Sequence, residues 1–320
     1  MNSSPLGPDI ELKQAKRLLE ELGITAIVIT TGEAIGFPRG GISSVLDHRW
    51  YSPPPSMRAV APLILSLQMK RAADANRVLF DETHYRLSGL SLAHGHVELR
   101  LEYCTYFDFV STNLSLDLIM SEVCPDWGDD RLRDRLSFSP TELREDPLCN
   151  QLGISLSIVT KPDNRLLFSR RGPTVFAYPN GYANAVNGEV DVKDIQEGEV
   201  SLSRTAVREA NEELGIEIGS DDIDFLGLCR SPVTLQPILI GVAFTDMSAP
   251  QAIERAKSAR DRFEHEEILD IEFKPSTVVQ HVRNAGAEWI PQCAACCIFS
   301  VLKSHGLAAV LDCLPPGLTL

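Results

Sequence analysis

The sequence predicts a mixed chain, α+β in its first half and α/β in its second, and three observations carry that reading. Helix-period and strand-period segments alternate along the whole length. The pattern changes character near residue 145. After that point a strand hairpin is followed by helices and strands in turn, the order expected of a sheet with helices on either face. A chain of 320 residues, 44% apolar, is long enough for two cores at roughly 150 residues each. The expected division is an N-terminal α+β domain over 1–145, a second domain over 146–306 and a tail over 307–320.

Leu12, Ala15, Leu18, Leu19 and Leu22 recur at helical spacing and close on Gly23, so Ile10 to Gly23 reads as a helix. The β-branched run Ile24 to Ile29 then reads as a strand. Residues 30–55 are rich in Gly, Pro and Ser and read as a long loop. Met57 to Asn76 is helical, and Val78 to Leu92 with Val97 to Tyr106 form a hairpin around His94-Gly95-His96. In the second half, Leu152 to Val159 and Arg165 to Arg170 are strands about the turn Pro162-Asp163-Asn164. A helix over Ser201 to Leu214, strands over Ile223 to Cys229 and Pro237 to Phe244, a helix over Pro250 to Asp261, a strand over Leu269 to Phe273 and two further helices complete the chain.

Charge and cysteine usage exclude several function classes. Thirty Lys and Arg against 44 Asp and Glu leave a formal charge of −14, and the basic residues occur only as isolated pairs such as Lys16-Arg17. That opposes binding to a phosphate backbone, so no nucleic-acid partner is expected. No apolar run is expected to approach the roughly 18 residues of a membrane span, and Asp9, Glu11 and Lys13 interrupt any leader-like stretch. The eight cysteines are scattered rather than set in a dense framework, which suits reduced thiols. A cytoplasmic protein without a membrane partner is the expectation.

The segment Val207-Arg208-Glu209-Ala210-Asn211-Glu212-Glu213-Leu214-Gly215-Ile216 is the most informative. On a helix, Glu209, Glu212 and Glu213 fall within an arc of about 100°. Like charges at such spacing, in the last turns where the helix dipole is already negative, repel unless a cation sits among them. A hard, oxygen-seeking ion would relieve the repulsion, and Mg²⁺ held by a few carboxylates and by substrate phosphates suits the pattern. The bland alternative is a solvated acidic face.

The stretch is similar to the second half of the Nudix box, written GX5EX7REUXEEXGU with U a bulky aliphatic residue, and agrees at all seven specified positions, with Ala210 a loose match at a U. The first half departs from it. Val200 stands where the box has Glu, with Glu199 one residue off, and Asp194 stands where it has Gly. A Gly188-Glu189 pair lies further upstream, as if residues had been inserted before the helix. Five other segments resemble, in the same order, those of the Nudix UDP-sugar diphosphatases of animals: Leu79-Phe80-Asp81 to Leu87, Tyr106-Phe107-Asp108 to Asn113, Asp126-Trp127-Gly128-Asp129, Asp146-Pro147-Leu148 and Leu167 to Arg171.

That resemblance implies a Nudix α/β/α sandwich beside an N-terminal α+β domain, and a Mg²⁺-dependent hydrolase, with Mn²⁺ as a possible substitute. It also implies cleavage of a nucleotide-sugar substrate such as UDP-glucose to UMP and a sugar 1-phosphate. It places catalytic and metal-binding carboxylates at Glu209 and Glu213, with Glu212 beside them, and a further loop carboxylate at Glu266. A diphosphate also needs cations around its oxygens. Arg208 would orient the glutamates, and one of Arg170 and Arg171 would contact phosphate, since adjacent strand residues face opposite sides. Asn113 is a candidate substrate contact or part of a buried network joining the domains. Cys293-x-x-Cys296-Cys297 reads as core packing, and His94 and His96 as exposed turn residues. The rival functions are hydrolysis of another nucleoside diphosphate such as ADP-ribose, and a non-catalytic nucleotide sensor.

Overall fold

The computed structural model describes residues 12–314 except 31–34, 39, 94, 138, 140, 142, 144–145, 174, 176–177 and 197. The elements in chain order are α1 (Leu12–Glu21), β1 (Ile27–Thr30), β2 (Ile42–Trp50), α2 (Pro55–Arg58), α3 (Ala61–Asp74), β3 (Thr83–Ala93), β4 (His96–Thr105), α4 (Tyr106–Ser111) and α5 (Leu132–Arg135). There follow β5 (Gly153–Thr160), β6 (Arg165–Arg171), β7 (Tyr182–Asn184), β8 (Val186–Glu189), β9 (Ile195–Gln196), β10 (Glu199–Val200) and α6 (Leu202–Leu214). The last are β11 (Ile223–Arg230), β12 (Pro237–Thr245), α7 (Ala249–Ala256), β13 (His265–Glu272), α8 (Pro275–Ala285) and α9 (Pro291–Leu311).

An eight-stranded mixed sheet runs β1-β11-β12-β5-β6-β13, with β8 paired to the start of β5 and β7 to the end of β6. All of β5 is buried, as befits a central strand covered on both faces, and β12 pairs with it in parallel. One face packs against α1, α8 and α9 through Leu18, Leu19, Val278, Val282, Cys296 and Phe299. The other packs against α6 and α7 through Leu202, Ala206, Ala210, Leu214 and Ala252. A small sheet in the order β2-β4-β3 adds Tyr85, Leu87, Leu99 and Leu101 to that second core. The mixed α+β class is therefore as expected.

Three expectations need correction. The 1–145 boundary does not separate the cores, because β1 pairs antiparallel with β11 and α1 packs in the core of the large sheet. Residues 42–50, read as part of a loop, form β2 and pair in parallel with β4. Finally, α9 is long and apolar enough by length and composition to cross a membrane, where no such run was expected. Its residues from Gln292 to Leu302 are buried as a core helix.

Candidate active site

Helix α6 begins where the Ser201 side chain accepts the Arg204 amide and ends at Gly215, whose φ of 64° is left-handed. Its buried stripe runs Leu202, Thr205, Ala206, Glu209, Ala210, Glu213 and Leu214, so two glutamates continue the apolar face. Glu209 is 8% exposed and Glu213 2%, which sets aside a solvated acidic face.

Strand β8 lies against these carboxylates. The Asn187 amide donates to Glu213 Oε1 at 2.6 Å. A Cβ on Gly188 would stand 1.9 Å from the Glu209 carboxyl carbon, so only glycine lets that carboxylate lie against the strand. The glycine that packs on the helix is thus supplied from upstream of the place the box gives it. At the box position itself stands Asp194, fully buried, and it binds the arginine of the motif. Arg208 Nε donates to Asp194 Oδ1 at 2.9 Å, and Nη2 donates to Asp194 Oδ2 at 2.8 Å and to the Glu189 carbonyl at 3.0 Å. Arg208 Nη1 donates to Glu209 Oε1 at 2.6 Å and to Glu212 Oε2 at 2.9 Å.

Burial holds the Glu209 and Glu213 carboxyls well above the usual range, helped at Glu209 by the charge of Glu213 and at Glu213 by that of Glu264. Burial likewise pushes Glu189 up to about 7, helped by the Glu264 charge and opposed by Arg171. His265 Nε2 approaches Glu213 Oε2 to 2.8 Å, yet burial lowers His265 to about 4. The imidazole is therefore neutral and the contact, out of hydrogen-bonding alignment, is no ion pair; Glu213 Oε2 is left without a donor.

Beside β8 opens a cavity of about 740 Å³. Asn187, Gly188, Glu189 and Arg171 line it from the large sheet, Glu264 from the turn before β13, and Phe80, His84, Tyr106 and Phe109 from the N-terminal half. Of the adjacent arginines, Arg171 faces this cavity, with Glu264 3.9 Å away. Arg170 lies over the Tyr182 ring at 5.3 Å on the other side of the sheet.

Three expected site residues do not take the places expected of them. Glu266 is the extra residue where the β13–β6 register shifts between His265 and Glu267, and it lies exposed, 3.9 Å from Arg170. The carboxylate that lines the cavity from this segment is Glu264. Glu212 is engaged at both oxygens, by Arg208 and by Arg260 Nη1 at 2.5 Å, so it orders arginines rather than standing open to a metal. Asn113 is buried and satisfied: its amide donates to the Thr234 carbonyl at 2.9 Å and its oxygen accepts the Asn150 amide at 2.9 Å. The cysteines of α9 are free and buried, with Cys296 against the Ser157 hydroxyl. His96 bonds Ser43 at 2.7 Å, and His94 lies outside the described residues.

Sequence reasoning missed Asp194 and Glu264 and could not choose Arg171. The Gly188-Glu189 pair was the one signal pointing to β8.

Among the described residues no three His, Cys, Asp or Glu side chains form a ready metal-ligand set. What the site offers is two buried oxygen donors, Glu209 and Glu213, one with an oxygen lacking a hydrogen-bond partner. Two carboxylates suit a hard cation that keeps several waters and completes its shell with substrate phosphates.

No protein-family model matches the chain, and no curated protein matches it. Among solved structures it is similar to a MutT protein from Methanosarcina mazei, at 17% identity over 47% of this chain and 91% of that one, with a TM-score of 0.32. A MutT/nudix family protein from Enterococcus faecalis gives 16% identity over 43% of this chain and 47% of that one, with a TM-score of 0.28. A bifunctional NMN adenylyltransferase/ADP ribose pyrophosphatase from Francisella tularensis, complexed with AMP and Mn ion, gives 12% identity over 53% and 43%, with a TM-score of 0.31. Likenesses this distant decide nothing about chemistry, and what the site can do follows from its own residues.

Proposed function

We propose that the chain is a metal-dependent hydrolase of the Nudix type that cleaves the diphosphate of a nucleotide sugar, UDP-glucose or a close relative, to UMP and a sugar 1-phosphate. The observation that supports it best is the burial of Glu209 and Glu213 on α6 against β8, whose Asn187, Gly188 and Glu189 line a cavity together with Arg171. Structural acidic residues are seldom buried as neighbours, because each disfavours the charge of the other.

Glu209 and Glu213 would hold Mg²⁺ or Mn²⁺, which when bound supplies positive charge to the diphosphate oxygens and acidifies water. Arg171, at the end of β6, would bind a phosphate oxygen. Arg208 keeps Glu209 in place through the bond at 2.6 Å. Glu264, beside Arg171, would hold a proton removed from the attacking water.

Incubation with a panel of nucleotide sugars and Mg²⁺ tests this, with release of UMP from UDP-sugars as the expected result. Glu209→Gln and Glu213→Gln should each lower turnover by about a hundredfold or more. Glu264→Gln should be far more damaging than Glu266→Gln. Binding of nucleotide sugars with no turnover under any divalent metal would defeat the hydrolase reading in favour of a sensor.

A further inference from the structure

Buried side-chain nitrogen and oxygen atoms without a hydrogen-bond partner are unevenly distributed among the described residues. Six of thirteen belong to residues lining the 740 Å³ cavity: Arg77 Nε, His84 Nδ1, Gln151 Nε2 and Oε1, Arg171 Nε and Gln292 Oε1. Native interiors pair such atoms almost without exception. A cluster of unpaired ones along one cavity marks where a ligand supplies the partners.

The cluster also has chemical polarity. Arg77 and Arg171 are cations and suit an anionic group. Gln151 is neutral, 0% exposed, and unpaired at both ends of its amide. It sits just before β5, in a bridge with Arg86 of β3, where the N-terminal half meets the large sheet. Apolar residues of the same cavity flank this position in the chain or in space. Ile154 is three residues on, and Leu114 follows Asn113, whose side chain bonds the amide of Asn150. A planar amide with a free donor and a free acceptor, set among apolar walls, is complementary to a flat edge carrying an adjacent acceptor and donor. The edge of a nucleobase is such a group, and a diphosphate reaching Arg171 would place the base elsewhere in the same cavity.

We propose that Gln151 is a specificity-determining residue that reads the donor–acceptor edge of the substrate's nucleobase. The inference rests on the nucleotide-sugar reading above, for which the base is uracil, with N3–H as donor and the neighbouring carbonyl as acceptor. A site built to hydrogen-bond a group rejects the analogue lacking it far more strongly than an apolar pocket does, since its own buried atoms are then left unpaired.

The test is calorimetric binding of UDP and of N3-methyl-UDP, in Mg²⁺, to the full chain and to Gln151→Met and Gln151→Glu. The wild-type protein should prefer UDP by on the order of a hundredfold, and Gln151→Met should narrow that preference to about threefold, mostly by weakening UDP. Gln151→Glu, which retains size and polarity but offers no donor once its carboxyl is ionised, should bind UDP at least about tenfold more weakly at a pH where that group is charged. Equal wild-type affinity for the two ligands overturns the proposal whether or not a variant folds. So does a Gln151→Met protein that loses affinity for both in the same proportion, the mark of a merely structural role. Hydrolysis of UDP-sugars without this preference would leave the enzyme reading intact and remove Gln151 from it. The preference without hydrolysis would do the reverse.

Discussion

Arg208 has five N–H donors, and the site supplies five acceptors: both oxygens of Asp194, the Glu189 carbonyl, Glu209 and Glu212. Asp194 therefore grips one edge of the guanidinium so that the other edge can hold Glu209. Asp194 also accepts the Thr205 hydroxyl and the Asp191 amide, which fixes its own orientation. Asp194→Asn should weaken Mg²⁺ or Mn²⁺ binding by about 10–100-fold, the usual effect of losing an outer partner of a metal ligand. Titration calorimetry or Mn²⁺ resonance would measure it directly, and unchanged metal affinity would refute the positioning role. The loss of stability should fall below the ~3–5 kcal/mol of a buried pair broken outright, because Glu209 and Glu212 still face the guanidinium. Much of this arrangement was legible in the sequence, since Arg208 adjoins Glu209 on one helix and the spacing of Glu209 and Glu213 puts both carboxylates on a common face. Asp194 was not, because a box position that calls for glycine gives no hint that a carboxylate there would turn inward to the arginine. Glu266 misled because a bulge in β13 changes which residue faces the cavity, and a bulge leaves no mark in alternation. Arg170 and Arg171 could be told to point oppositely, but not which way, until β6 was seated in the sheet.

Among the elements, α1 and β1 show what local pattern reveals and what it withholds. The helix and strand were both evident from periodicity, whereas their partner lies about 200 residues away: Ile27 pairs with Arg230 and Val28 with Cys229. No local signal encodes such a pairing, and an apparent domain boundary near 145 hid it. Ala15, Leu18 and Leu19 are fully or almost fully buried against the same core as α9. Leu18→Ala should therefore cost about 2–5 kcal/mol in the stability of the whole chain rather than loosening an N-terminal module. Glu20→Ala, on the exposed side of the helix, should change stability by less than about 0.5 kcal/mol. Denaturant unfolding followed by both fluorescence and circular dichroism checks this. Two separate transitions, with only one moved by Leu18→Ala, would mean that α1 and β1 belong to an independently folding part. By contrast, β2 was missed because its one buried residue is the polar Ser44 while Val45 beside it is exposed, so no apolar alternation distinguishes it from a loop.

At the scale of the molecule, buried titratable groups couple stability to pH and to metal in a direction that can be worked out. Burial lowers His265 to about 4 and also lowers His84 and His281. Their contribution is complete above the ordinary histidine range and is lost as pH falls below it. Burial raises Glu189 to about 7 and holds Glu209 and Glu213 above the usual carboxylate range as well. A carboxyl raised in the folded state stabilises most at low pH and loses that contribution as pH climbs through its folded value. The two classes oppose each other in acid, but above about pH 7 the carboxylates act alone. The chelated protein should therefore lose stability between about pH 7 and 9, with a falling Tm. A divalent cation binds the charged carboxylates of the folded chain, so saturating Mg²⁺ should raise Tm most at the alkaline end and flatten the slope. Glu209→Gln should flatten it without metal, because the group that must ionise beside Glu213 is gone, and should abolish most of the Mg²⁺ effect. Differential scanning across that range, with chelator and with Mg²⁺, measures all three. A Tm indifferent to Mg²⁺ at every pH, together with a Glu209→Gln protein that follows the wild-type slope, would show that α6 carries no cation and that its buried glutamates are there for packing alone.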